Sequence, residues 1–308
     1  DMTPQIARIA ARRLSASPRP LRLSYAGQVL RVRGSQLRPE RQFTQVGAEL
    51  IGPDAATADA EVIVMAASAL ANLGITDLSV DLGLPTLVAA VCSSGEDCDG
   101  PPENWPRLRQ ALDRKDAAAV TELGLEICEE TTRTLAAMLA AAGPADETLA
   151  ALDSLGLSGE AADGHLLLAE VVERVLSAMP GLAITIDPVE NRGFEYHTGV
   201  TFTFFAKGVR GELGSGGRYS AGDGEAATGF TLFMDTVLRA VAPPADKRRV
   251  YLPAGTAVEA AAALRAEGWI TVAELSDTGD AQAQAEHQGC THIFEDGEAR
   301  EITKPKTT

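Results

Sequence analysis

The chain is poor in aromatic residues (5%), in cysteine (4) and in histidine (4), and its 27 basic residues are outnumbered by 43 acidic ones. Each shortage removes a class of function. Cys92, Cys98, Cys128 and Cys290 are too scattered for paired zinc ligands or a disulfide framework, and no histidine lies near the one close pair. Reduced thiols are therefore expected, with no metal and no other cofactor. A formal net charge of -16 repels the phosphate backbones that Lys and Arg must neutralise, which argues against a nucleic-acid partner. Apolar runs fall short of the roughly 18 residues of a membrane span. No basic-then-apolar start marks a secretory signal either, so a cytoplasmic location is expected.

What is present is a chain of 308 residues, 45% hydrophobic, long enough for one large core plus one or two smaller units. It opens on Asp1-Met2-Thr3-Pro4, close to an element boundary and without a leading methionine, which suggests that the natural protein continues upstream. Ile6, Ile9, Ala10 and Leu14 follow at helical spacing, and Asp1 or Thr3 would cap that helix with Pro4 in its first turn. Leu21, Leu23 and Tyr25 alternate as a half-buried strand. A second strand is expected through Val29 to Arg33, and an arginine-bearing loop returns to a third. In the third, the two-residue period puts Thr44, Val46, Ala48 and Leu50 on one face and Gln45, Gly47 and Glu49 on the other. That second face is either the solvated side of the strand or the wall of a cleft in which Gly47 leaves room for a ligand.

Ala55 to Leu73 reads as an amphipathic helix stopped at Gly74, and Leu78, Val80 and Leu82 as a strand ending before Pro85. The polar loop Cys92 to Asn104 marks the edge of an insertion. Trp105 to about Leu176 is helical, broken into three or four helices at Gly143-Pro144 and between Gly156 and Gly164, with a lone His165 expected at the surface or at a helix start. After a strand at Ala183 to Ile186 comes the most unusual stretch. Arg192, Glu195, Tyr196 and His197 lie just before the apolar strand Val200 to Phe205, and a glycine-dense turn, Gly214 to Tyr219, follows. Charged, aromatic and backbone-donor groups crowded beside one strand can line a small-molecule pocket, although such a turn also joins hairpin strands in proteins without a ligand. Ala227 to Leu232 leads into a helix through Val237, and Pro243-Pro244 opens a linker. The alternation that follows, strand Val250 to Leu252 through strand Thr291 to Phe294, has a βαβαβ rhythm that predicts a small parallel sheet.

The two stretches Phe43-Thr44-Gln45-Val46-Gly47-Ala48-Glu49 and Arg192-Gly193-Phe194-Glu195-Tyr196 carry a family resemblance. From Asp1 to Val241 the chain resembles the catalytic core of histidyl-tRNA synthetases and of their non-aminoacylating paralogues, the regulatory subunits of short-form ATP phosphoribosyltransferase. The resemblance implies an α+β fold, a class II aminoacyl-tRNA synthetase-like antiparallel sheet flanked by helices. Core segments at 1–104 and 177–243 would enclose a helical insertion at 105–176, with a small C-terminal α/β unit at 247–308. It also implies a histidine pocket: Asp1 and Thr3 at the ammonium, Gln45 and Glu49 at the ligand's polar groups, Arg192 at the carboxylate, Tyr196 and His197 beside the imidazole, and Tyr219 across the far side.

The sequence departs from the synthetase pattern where ATP would bind. Leu30-Arg31-Val32-Arg33 stands where motif 2 has Phe-Arg-x-Glu, and Phe233-Met234-Asp235-Thr236 stands where motif 3 has Gly-Leu-Glu-Arg. A preorganised guanidinium on a transferring phosphate is worth several kcal/mol, and threonine offers no such charge. A non-catalytic regulatory subunit is therefore expected, one that activates the catalytic subunit and transmits histidine feedback. The resemblance implies four regulatory and four catalytic chains, with the regulatory chains pairing through their cores. A divergent histidyl-tRNA synthetase is the alternative.

Overall fold

The computed structural model describes residues 2–32, 41–93, 105–124, 129–190, 196–243, 248–275 and 280–302. The chain divides into two compact units, Asp1–Ala242 and Pro243–Thr308. In the first, α1 (Thr3–Arg13) precedes β1 (Leu21–Leu30), β2 (Gln42–Ile51), α2 (Ala56–Asn72), β3 (Leu78–Gly83) and α3 (Thr86–Ser93). A helical stretch follows: α4 (Trp105–Asp113), α5 (Ala117–Gly124), α6 (Glu129–Ala140), the two-residue β4 (Gly143–Pro144), α7 (Ala145–Ser154) and α8 (Gly159–Ala178). The unit closes with β5 (Ala183–Asp187), β6 (His197–Ala206), β7 (Gly214–Ser220), β8 (Ala226–Phe233) and α9 (Met234–Ala240).

Eight strands form one sheet in the order β1-β2-β8-β7-β6-β3-β5-β4. Every neighbouring pair is antiparallel except β3 and β5. One face is apolar because alternate residues of each strand are: Leu50 on β2, Leu232 on β8, Phe202 and Phe204 on β6, and Val80 and Leu82 on β3 are all buried. Against them pack Val62, Ile63 and Leu70 of α2 and Leu168, Val171 and Val175 of α8, in one continuous core. Leu108, Leu112, Leu135 and Met138 of the inserted helices belong to the same core, so this segment shares the main hydrophobic interior. The opposite face of β1, β2, β8 and β7 carries the polar side chains, and α1 lies across one end of it, where Ala10 packs with Ile51, Tyr219 and Ala227.

Several expectations are corrected here. The glycine-dense stretch Gly214 to Tyr219 is an interior strand, β7, paired on both sides, and no turn. Its glycines are required by close approach: a Cβ on Gly216 would lie 2.5 Å from the Phe202 ring and 2.2 Å from the Gly229 carbonyl oxygen. The separate strands predicted on either side of Gly27 are one continuous strand, since β1 pairs with β2 residue by residue from Leu21 to Leu30. Thr3 does not cap α1. It lies inside the helix, the N-cap is Met2, and the Thr3 hydroxyl is turned to Tyr25. The inserted segment holds five helices among the described residues, and His165 is buried within α8, its Nδ1 3.9 Å from Asp153 Oδ1.

Arg218 is the main polar element of the helix-packed face. Its Nε and Nη2 donate to Asp59 Oδ2 at 3.0 and 2.9 Å, and its other hydrogen bonds go to Asp54 and to the carbonyls of Pro53 and Ala55. One guanidinium thereby ties β7 to the start of α2.

The second unit has β9 (Arg249–Leu252), α10 (Val258–Ala266), β10 (Ile270–Ala273), α11 (Ala281–His287), β11 (His292–Glu295) and β12 (Glu298–Glu301). β10, β9 and β11 are parallel as the rhythm predicts, but β12 adds an antiparallel edge to the sheet. The hairpin turns at Asp296-Gly297, both at positive φ (50° and 87°), the backbone that an Asp-Gly pair favours.

Candidate functional site

The polar face of the sheet is built on glycines. Register sets Glu49 beside Gly229, Gly229 beside Gly217, and Gly47 beside Thr231 and Tyr25. These missing side chains leave a shallow floor that longer residues from neighbouring strands reach across. The Tyr25 ring lies over Gly47, where a Cβ would approach it to 2.5 Å, and the Glu49 carboxylate lies over Gly229, where a Cβ would stand 1.8 Å from Oε2. Gly229→Ala is thus expected to expel Glu49 from its place, break its bond to Tyr219 and destabilise the unit by about 1–3 kcal/mol, as overpacking does. Thermal melts measure this, and an unaltered melting curve would show that Glu49 has another resting position.

Gln45 and Glu49 are 1% and 2% exposed, so that strand face is not the solvated side of β2, and the room over Gly47 is filled by the Tyr25 ring. Gln45 Oε1 accepts from the Met2 backbone N–H at 3.1 Å, tying the start of α1 to the sheet. The Tyr25 hydroxyl sits 3.1 Å from Thr3 Oγ1 and 2.6 Å from Thr231 Oγ1, and donates to the Phe230 carbonyl at 3.3 Å. Tyr219 donates its hydroxyl to Glu49 Oε2 at 3.0 Å. Glu49 Oε1 is buried without a hydrogen-bond partner among the described residues.

Burial raises the Glu49 carboxyl to about 7, against the pull of the hydroxyls of Thr3, Tyr219 and Tyr25. Burial likewise lifts Tyr25 to about 12, with the nearby Glu49 charge adding to it, and lifts Tyr219 further for the same two reasons. At neutral pH the centre is thus a partly ionised carboxylic acid among neutral phenols. Tyr196 stacks on His197 with ring centroids 4.1 Å apart and meets Tyr219 edge-on at 6.3 Å. His197 is lowered to about 4 by burial, so it is neutral at physiological pH, while Tyr196 is 56% exposed and forms the mouth.

The structure therefore brings together Thr3, Gln45, Glu49, Tyr196, His197 and Tyr219. Asp1 and Arg192 lie outside the described residues. Tyr25, Thr231 and Gly229 belong to the same centre and were missed. Tyr25 reads in the sequence as one more residue of an alternating strand, and Thr231 and Gly229 as parts of another, because their roles depend on which strands pair.

A family profile described as histidyl-tRNA synthetase matches residues 1–237. The ATP phosphoribosyltransferase regulatory subunit of Paramagnetospirillum magneticum is 55% identical to this chain over 296 residues, which is 95% of the chain and 75% of that relative. The chain belongs to the ATP phosphoribosyltransferase regulatory subunit family. The Rhodospirillum centenum regulatory subunit is 53% identical over 303 residues, covering 98% of this chain and 77% of its own length. Among solved structures, an ATP phosphoribosyltransferase regulatory subunit/histidyl-tRNA synthetase from Bacillus halodurans superimposes with a TM-score of 0.75 at 26% identity, over 93% of this chain and 76% of that one. The regulatory-subunit family thus has the class II synthetase-like α+β fold here, with its polar sheet face under α1 and the helices on the other side.

Proposed function

We propose that this chain is a non-catalytic regulatory subunit that binds the short-form catalytic subunit of ATP phosphoribosyltransferase, raises its turnover and transmits feedback inhibition by L-histidine in the first step of histidine biosynthesis. The observation that carries this reading is Glu49, a buried carboxyl with Oε2 on Tyr219 and Oε1 without a partner among the described residues. A buried carboxylate that has hydroxyl partners but no cation beside it among the described residues is costly, and a cation entering the site offsets that cost. The protonated imidazole or ammonium of an amino acid is such a cation. In this reading Thr3, Gln45, Glu49, Tyr196, His197 and Tyr219 grip histidine, with Asp1 at the ammonium and Arg192 at the carboxylate. No cofactor takes part, the chain acts in the cytoplasm, and regulatory chains pair through their synthetase-like cores in an assembly of four with four catalytic chains.

The names of the two relatives above, both regulatory subunits of this enzyme, support the choice of partner. Mixing the purified chain with the short catalytic subunit is expected to raise its turnover and to make it sensitive to histidine. Steady-state kinetics that stay the same with and without the chain would sink the proposal.

The match to the synthetase profile favours a second reading, an active histidyl-tRNA synthetase. Thr236, at the position of the ATP-clamping arginine, is buried and accepts a hydrogen bond from Arg239 Nη2 at 3.1 Å, so a guanidinium does stand nearby. Histidine-dependent ATP/pyrophosphate exchange separates the two readings. None is expected, and robust exchange would establish the synthetase.

A further inference from the structure

Beside the Glu49 centre, a cavity of about 590 Å³ lies between α1 and the end of β7, walled by Thr3, Ala7, Arg8, Arg12, Tyr196 and Tyr219 among others. It is within the roughly 300–1,000 Å³ of small-molecule sites. Arg8 and Arg12 are four residues apart on α1 and so project from one face of the helix. That helix has three arginines and no acidic residue.

In this acidic protein, arginines are commonly paired: Arg19 with Glu225, Arg22 with Glu61, Arg133 with Glu129, Arg174 with Glu170 and Arg218 with Asp59. Among the described residues, Arg8 and Arg12 make no ion pair and no side-chain hydrogen bond. Two guanidinium groups without acid partners thus border a cleft whose other wall is an exposed tyrosine.

We propose that this cleft is a second ligand site, for a small molecule that carries a phosphate on a nucleoside or sugar ring. A dianionic phosphate presents three oxygens that two guanidinium groups can share, whereas a single carboxylate is satisfied by one of them. The Tyr196 and Tyr219 rings, edge-on to each other at 6.3 Å, both wall the cleft and give it an apolar side against which a ring packs. Tyr219 belongs to both places: its ring lines the cleft and its hydroxyl holds Glu49, so occupancy of one site is felt at the other. The cleft shares Thr3, Tyr196 and Tyr219 with the proposed histidine grip, but Arg8 and Arg12, which hold the phosphate, belong to the cleft alone.

The test is calorimetric titration of the intact chain, at fixed ionic strength, with inosine monophosphate, inosine and inorganic phosphate. Inosine monophosphate is expected to bind best, with an affinity that falls as salt rises. Arg8→Ala and Arg12→Ala should each weaken it about tenfold, the scale of one charge-assisted contact in a partly exposed site. Both arginines are exposed, so the variants are expected to fold, which a thermal melt checks. Arg13→Ala, on the same helix but outside the cleft wall, should leave nucleotide binding in place, which separates a specific contact from a general loss of positive charge. Equal binding of inosine monophosphate to the wild type and to the doubly substituted chain would overturn the proposal, as would no binding of either phosphate compound at millimolar concentration.

Discussion

Glu49→Gln is expected to weaken histidine binding by about 2 to 4 kcal/mol, the scale of a lost charge-assisted bond in a desolvated site, and at the same time to stabilise the empty protein above neutral pH. The two effects have one cause. Burial raises the folded-state carboxyl to about 7 from its ordinary value of 4.5, so the unfolded chain gives up this proton well before the folded protein does. Stability from this group is present in full below about pH 4.5 and is lost as pH rises through about 7. Over that interval the loss amounts to roughly 3 kcal/mol, at 1.36 kcal/mol for each pH unit between the two values. Glutamine keeps a hydrogen-bond acceptor for Tyr219 and cannot ionise, so the alkaline fall in stability should disappear from a series of melts between pH 5 and 8.5. His197 has the opposite sign: lowered to about 4, it remains neutral when folded, and stability falls as pH drops from about 6.5 toward 4 in both proteins.

The same proton governs ligand binding. A complex of Glu49 carboxylate with imidazolium holds one proton between two groups, one titrating near 7 and the other, in free histidine, near 6.5. Affinity should peak between those values and decline on both sides, with a proton released below the peak and taken up above it. Calorimetry in buffers of different ionisation enthalpy reads that exchange directly. A flat pH profile, or full affinity in Glu49→Gln, would place histidine elsewhere.

The second large effect is structural. Arg218→Ala removes five hydrogen bonds and strands the Asp59 carboxyl, whose side chain is 1% exposed. Breaking a buried pair by deleting one partner typically destabilises by about 3–5 kcal/mol, or on the order of 6–20 °C in melting temperature for a unit of this size. Asp59 already has its carboxyl pushed up by burial more than Arg218 pulls it down, so without the arginine it is expected to protonate readily. The deficit should therefore shrink as pH falls, and Asp59→Asn in the Arg218→Ala background should recover part of it. An equal loss at pH 5 and pH 8 would mean that packing, not the stranded charge, sets the penalty.

Much of the fold was legible because amphipathic periodicity is a local signal. α2, β2, β3, β5 and the strand–helix passage from β8 to α9 fall where alternation and helical spacing put them, within a residue or two at their ends. The errors fall where local chemistry has two meanings. Gly214, Gly216 and Gly217 look like a turn because glycine is common in turns. They form an interior strand because the β8 backbone presses against Gly214 and Gly216, Phe202 against Gly216, and Val200 and His197 against Gly217, all from other parts of the chain. Thr3 before a helix looks like a cap until Tyr25, on a strand 22 residues away, offers its hydroxyl a partner. His165 looks like a surface residue because nothing nearby in sequence reveals which side of α8 meets the core.

The candidate site divides along the same line. The sequence alone supplied its acids, amides and aromatic rings, and its resemblance to a synthetase core indicated which of them to consider together. Residue identity and spacing could not say whether Gln45 and Glu49 faced water, since either face of an alternating strand can be solvated. That was decided by register: β2 pairs with β8 so that Glu49 sits over Gly229, β7 brings Tyr219 to one carboxylate oxygen, and α1 closes the end of the sheet. The composition of the strands is written in the chain, but the loss of water that raises Glu49 to about 7 belongs to strands assembled from distant segments, and only the tertiary structure could produce it.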